Sequence, residues 1–122
     1  MKVAAVSPDE IEYISAHAAG TLLGDLVEGR AILEVFGSSC PPVSSTKALT
    51  GHECWMAGAS EVAYSVLMAE GGFLAPNRNF SECDEGLEKL NIVRSPNAIQ
   101  ARMLLSNSFG FGGTNACVVL RA

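Results

Sequence analysis

The chain has 122 residues, 48% of them hydrophobic and 17% charged, with 8 Lys and Arg against 13 Asp and Glu for a formal net charge of -5. That is room for one domain with a real core and excludes wholesale disorder, while so low a charged fraction hints at surface that belongs inside something larger. The acidic balance without a basic, aromatic-bearing cluster argues against nucleic acid, no apolar run reaches the roughly 18 residues of a membrane span, and the start MKVAAVSPDE breaks off too soon for a signal peptide, so a cytoplasmic location is expected.

After the Pro8-Asp9-Glu10 turn signal, Ile11 to Ser15 reads as a short strand ending at His17. From Leu26 to Phe36, the series Leu26, Arg30, Leu33 and Val27, Ala31, Val35 predict a helix with one buried stripe, closed by Gly37. Pro41-Pro42 marks a turn, and Val43 to Thr46 is a short strand that delivers Lys47 and His52 into a loop or helix entry. Ala57 to Glu70 is the longest periodic segment, expected to be a largely buried helix ended by Gly71-Gly72. Its Glu61 lies amid small and apolar side chains, so it sits at the solvent edge or is held by backbone donors or a cation. Residues 77 to 89 are turn-rich and acidic, a solvated loop.

Three more strand candidates follow at 91–93, 102–106 and 116–120, which makes the chain an α/β pattern with antiparallel final strands. The segment Asn107 to Asn115 (NSFGFGGTN) reads as a tight connection whose glycines permit positive φ or a close approach of backbone amides to a ligand, lined by Phe109 and Phe111. It lacks the G-x-G-x-x-G order of a dinucleotide fingerprint. Four cysteines stand 14, 29 and 34 positions apart with no C-x-x-C, which excludes a zinc or disulfide framework and leaves each as a small buried hydrophobe.

The only two histidines, His17 and His52, each follow a strand candidate, and Lys47 lies five residues before His52. Neutral imidazoles presenting Nε2–H to one point stabilise a developing oxyanion, and a nearby ammonium strengthens the field. No G-x-S-x-G elbow and no cysteine at a helix start accompany them, so the set is an oxyanion site and not a complete enzyme. A metal held by His17, His52 and a carboxylate has no specific spacing behind it, and none is expected.

The blocks Tyr13 to Asp25 (YISAHAAGTLLGD) and Ser44 to His52 (SSTKALTGH), the spaced Gly58 and Glu61, Pro76 with Asn79, and the ending Leu105 to Asn115 (LSNSFGFGGTN) occur in one order. In these the chain resembles the C-terminal part of a beta-ketoacyl synthase, a condensing enzyme of the thiolase-like superfamily. The resemblance covers nearly the whole chain, from Pro8 to Arg121. It implies the C-terminal half of the thiolase-like fold, a mixed five-stranded sheet packed with helices, with residues 1–122 as one domain. It further implies that His17 and His52 stabilise the enolate formed when malonyl-ACP decarboxylates, and that Lys47 organises the site. Glu61 would hold the architecture, sometimes around a bound cation near Ser106 and Asn107. Phe111 would be the gatekeeper between acyl pocket and pantetheine tunnel, with Phe109 beside it, and Thr21 would contact the phosphopantetheine arm.

Two departures stand out. The family usually reads H-G-T-x-T-P where this chain has His17-Ala18-Ala19-Gly20-Thr21-Leu22, so one pantetheine-binding threonine is Ala19. After His52 the run Glu53-Cys54-Trp55-Met56 replaces small residues and glycine, and Trp55 is expected to demand a new pocket. The family's nucleophilic cysteine belongs to an N-terminal half that these residues do not include. The resemblance therefore implies a 3-oxoacyl-[acyl-carrier-protein] synthase part that condenses acyl-enzyme with malonyl-ACP only beside a complementary N-terminal half, in a homo- or hetero-oligomer, with no cofactor beyond its phosphopantetheine thioester substrates. The alternative is a non-catalytic fragment or interaction subunit binding carrier protein or another synthase.

Overall fold

Strand β1 (Tyr13–Ser15) is buried at every position, as a strand covered on both faces must be. In the computed structural model, which describes residues 1–122, β1 pairs in parallel with β2 (Val43–Ser44) on one side and with β3 (Met103–Gly110) on the other. β3 then turns back into the antiparallel edge strand β4 (Thr114–Arg121), giving the order β2-β1-β3-β4. The strand alternation splits the core. Ile14 faces Ile32 and Phe36 of helix α1 (Leu22–Phe36), whereas Tyr13 faces Met68 and Ala69 of helix α3 (Ala57–Gly71). A single-turn helix, α2 (Lys47–Thr50), follows β2.

The mixed sheet has four strands and not the five expected. Residues 91–93 reach the outer side of β2 but make only the bridge Val43 to Ile92, in which Val43 N–H donates to Asn91 O at 2.8 Å and Val93 N–H to Val43 O at 2.9 Å. β2 is two residues long and Pro96 lacks an N–H, so the ladder has nothing to extend along.

Both long helices bury a different stripe from the one hydropathy predicts. α1 starts four residues early, with Asp25 Oδ1 accepting the N–H groups of Gly20 and Thr21 at 3.1 Å each across its first turn. It buries Glu28, Gly29, Ile32 and Phe36, leaving Val27 55% and Val35 52% exposed. Gly29 is dictated by packing, since a Cβ there would lie 2.7 Å from Leu87 Cδ1. α3 buries Ala57, Glu61, Ser65, Met68 and Ala69, while Val66 and Leu67 face outward, so the expectation of a largely buried helix is corrected.

Strands β3 and β4 are also longer than predicted. Asn107 and Phe109 lie within β3, and the connection shrinks to Phe111-Gly112-Gly113, whose two glycines both have φ +86°. Of the cysteines only Cys40 is buried; Cys83 is half-buried, and Cys54 and Cys117 are exposed, the latter because it sits on the edge strand. No helix is long and apolar enough to cross a membrane.

Candidate functional site

Because β1, β2 and β3 run parallel, their carboxyl ends lie side by side and carry three sequence-distant segments to one edge of the sheet. Past β1 comes His17, past β2 comes Lys47, and the far half of β3 supplies Asn107 and Phe109.

His17 is fixed through its backbone. Glu28 Oε1 accepts the His17 N–H at 2.9 Å and Glu28 Oε2 the Ala18 N–H at 2.7 Å, while Asn107 Nδ2 donates to Oε1 at 3.1 Å. Glu28 is 4% exposed, and these three charge-assisted bonds replace its hydration. Sequence reasoning missed it. The available signal was phase, since residues 28, 32 and 36 form one helical stripe that opens on a carboxylate. On the other side of the loop, Ser45 Oγ donates to Ala18 O at 3.2 Å. The turn forces Ala18 to φ +21°, at the position where the H-G-T motif has glycine. Ala18→Gly is expected to raise stability by about 1 kcal/mol, read as a shifted denaturant midpoint at constant slope.

Lys47, the first residue of α2, is buried and its Nζ pairs with Glu61 Oε1. The cation is thus what holds the Glu61 carboxylate, at 2% exposure and away from the solvent edge. Burial pushes the Glu61 carboxyl up, and the Lys47 ammonium opposes that shift.

His52 follows α2 in an exposed loop that turns at Gly51, φ +79°. Its Nδ1 accepts the Cys54 N–H at 3.0 Å, so a neutral ring carries its proton on Nε2. Cys54 takes φ +54° to make that bond, and it is here, not at Trp55, that the glycine missing from the loop is felt. Trp55 occupies no new pocket: it is 103% exposed, which corrects the expectation for it.

The two imidazole centroids are 5.4 Å apart with planes at 80°, and the Phe109 ring stands 5.7 Å from His17 on edge. Burial first, then the charges of Lys47 and His52, hold His17 below the ordinary histidine value of 6.5, so it is neutral at pH 7. Imidazoles at this spacing can both donate to one oxyanion. Phe111, in contrast, is 110% exposed at the hairpin turn, and Thr21 is exposed at the start of α1. Glu61 Oε2, Ser106 Oγ and Asn107 Oδ1 are buried without partners, oxygen donors of the kind a hard cation takes.

Residues 1–81 match the family described as beta-ketoacyl synthase, C-terminal domain. Over 111 residues the chain is 49% identical to 3-oxoacyl-[acyl-carrier-protein] synthase 1 of Escherichia coli (strain K12), covering 91% of this chain and 27% of that protein. The Haemophilus influenzae protein of the same name is 43% identical, with 99% and 30% covered. A solved beta-ketoacyl synthase from Burkholderia phymatum STM815 superposes with TM-score 0.90 at 33% identity over 98% of this chain and 29% of that one. A ketosynthase structure in complex with its type II polyketide synthase acyl-carrier protein gives TM-score 0.92 at 32% identity, with 99% and 30% covered. The chain spans less than a third of the length of these relatives, and its fold is the α/β C-terminal part of their thiolase-like architecture. With most of its length inside the family match, and its histidines, lysine and glutamates gathered at one sheet edge, the chain belongs to the beta-ketoacyl synthases as their C-terminal domain.

Proposed function

We propose that this chain is the histidine- and lysine-bearing part of a 3-oxoacyl-[acyl-carrier-protein] synthase, completed by an N-terminal half that supplies the nucleophilic cysteine. The observation that carries the reading is the pair of imidazoles 5.4 Å apart, one neutral by burial and charge, the other with its proton directed to Nε2 by the Cys54 N–H. A malonyl thioester places its carbonyl oxygen between the two Nε2–H groups. The bond to the carboxylate breaks, carbon dioxide leaves, and the electron pair passes into the enolate whose oxygen the imidazoles stabilise. The enolate carbon then attacks the acyl thioester on the cysteine, forming the carbon–carbon bond and expelling the thiolate. Lys47 adds positive field, with Glu61 fixing where it stands.

The substrates are phosphopantetheine thioesters on acyl carrier protein, with Thr21 on the pantetheine arm and Phe109 and Phe111 towards the acyl chain, in a cytoplasmic oligomer. Exposed Leu22, Leu23, Val27 and Phe111 supply apolar surface for the complementary half. Mixing the chain with that half and malonyl-ACP plus an acyl-ACP is expected to give 3-oxoacyl-ACP and carbon dioxide, with neither half active alone. A folded complex that forms no product overturns the reading, and carrier binding without product identifies an interaction subunit instead.

A further inference from the structure

We propose that Glu53 and Tyr64 are positioning residues for His52: the Tyr64 hydroxyl on α3 donates to Glu53 Oε1 at 2.7 Å and thereby holds the 51–54 loop in the conformation that keeps the Cys54 N–H on His52 Nδ1. The loop needs such a hold. It carries the non-glycine Cys54 at φ +54°, three residues after a Gly51 that takes +79° freely, and the strain at Cys54 persists only where the surroundings over-determine it. His52 itself is exposed, and its ring meets His17 edge to face.

The fastening has a simple geometry. Glu61 and Tyr64 are three residues apart on α3 and so share a face. Glu61 grips Lys47, five residues before His52, and Tyr64 grips Glu53, the residue after it. The catalytic imidazole therefore hangs between two anchors on one helix. Hydrogen bonding from Ser60 and Tyr64 keeps the Glu53 carboxyl below the ordinary carboxylate range, and Glu53 in turn pushes the Tyr64 phenol up, so the clamp stays an ionised acceptor facing a protonated donor through neutral pH. Glu53 belongs to the run Glu53-Cys54-Trp55-Met56 that departs from the family's small residues and glycine. Where glycine would relax the loop, this chain braces a strained one from the side.

The inference rests on His52 being one of the two imidazoles of the proposed site, and its test reads His52 directly, without activity. Nitrogen–proton correlation spectra of the imidazoles are recorded for the chain and for Tyr64→Phe, Glu53→Ala and Glu53→Gln. In the parent, His52 shows one tautomer with Nδ1 unprotonated. Tyr64→Phe and Glu53→Ala are expected to move both His52 nitrogens towards the two-tautomer average with His17 unchanged, and Glu53→Gln, which still accepts from Tyr64, is expected to retain the parent pattern. An unchanged His52 in Tyr64→Phe overturns the proposal. So does Glu53→Gln matching Glu53→Ala, or a His17 signal lost together with that of His52, since the pair would then support charge or the whole fold and not the imidazole. In the assembled synthase the same Tyr64→Phe change is expected to lower kcat about tenfold with little effect on KM.

Discussion

Lys47→Met is expected to destabilise the chain by about 3 to 5 kcal/mol, the usual consequence of removing one partner of a buried ion pair. The reason is Glu61, which at 2% exposure would be left as an uncompensated carboxylate with its other oxygen already unpartnered. Adding Glu61→Gln removes the orphaned charge and is expected to recover most of the loss in denaturant unfolding; the double change behaving no better than the single would refute the pairing as its cause. The same substitution acts on His17. The folded-state value of His17 is depressed, so its contribution to stability is complete above about pH 6.5 and is lost as pH falls through the folded value. Lys47 is the second cause of that depression after burial. Its removal is expected to move the acid limb of the His17 titration up towards 6.5, measured by imidazole NMR, and an unmoved or lowered limb would contradict this.

Glu28→Ala is the second large effect. It strands three donors, the N–H groups of His17 and Ala18 and the side-chain amide of Asn107, at a position 4% exposed. At roughly 1 to 3 kcal/mol for each unsatisfied group, and without assuming additivity, a loss of about 3 kcal/mol or more is expected. Since the same bonds set where the His17 ring starts, carbon dioxide release by the assembled synthase is expected to fall about 100-fold. Glu28→Gln is the sharper probe. It keeps the shape but turns an NH2 towards a backbone N–H, so it should resemble Ala and not the parent; a Gln variant with parental stability and rate would show that the acceptor pair is not what matters.

What the sequence disclosed, and what it hid, divides along one physical line. Contiguous signals survived: β1 before His17, the helix after Met56, and the final hairpin each rest on local chain preferences that the tertiary fold did not override. Phase along the helices did not survive. In α1 the buried stripe is Glu28, Ile32 and Phe36, while Val27 and Val35, which hydropathy places inside, face out. Hydropathy reads a helix correctly only when all its apolar surface is covered by the same chain. Leu22, Leu23 and Leu67 are exposed too, and the proposed complementary half is what would cover such residues. The fifth strand failed for a different reason, because its only neighbour, β2, is two residues long. At the site, motif and spacing pointed to His17, Lys47 and His52, and the structure brings the two imidazoles to a centroid distance of 5.4 Å with the Cys54 N–H on His52 Nδ1. They did not point to Glu28, Glu53 and Tyr64: the phase of residues 28, 32 and 36 marks Glu28 only once the buried side of α1 is known, and the Tyr64–Glu53 contact is set by how α3 meets the loop before it.

If His17 and His52 together stabilise an enolate oxyanion, as proposed, single-turnover carbon dioxide release from malonyl-ACP by the assembled synthase depends on both imidazoles. His17→Ala and His52→Ala are each expected to slow release by about 100- to 1,000-fold, and the double variant by much less than the product of the two, because two donors to one oxygen act as a unit. Release at the parental rate in either single variant would contradict the account.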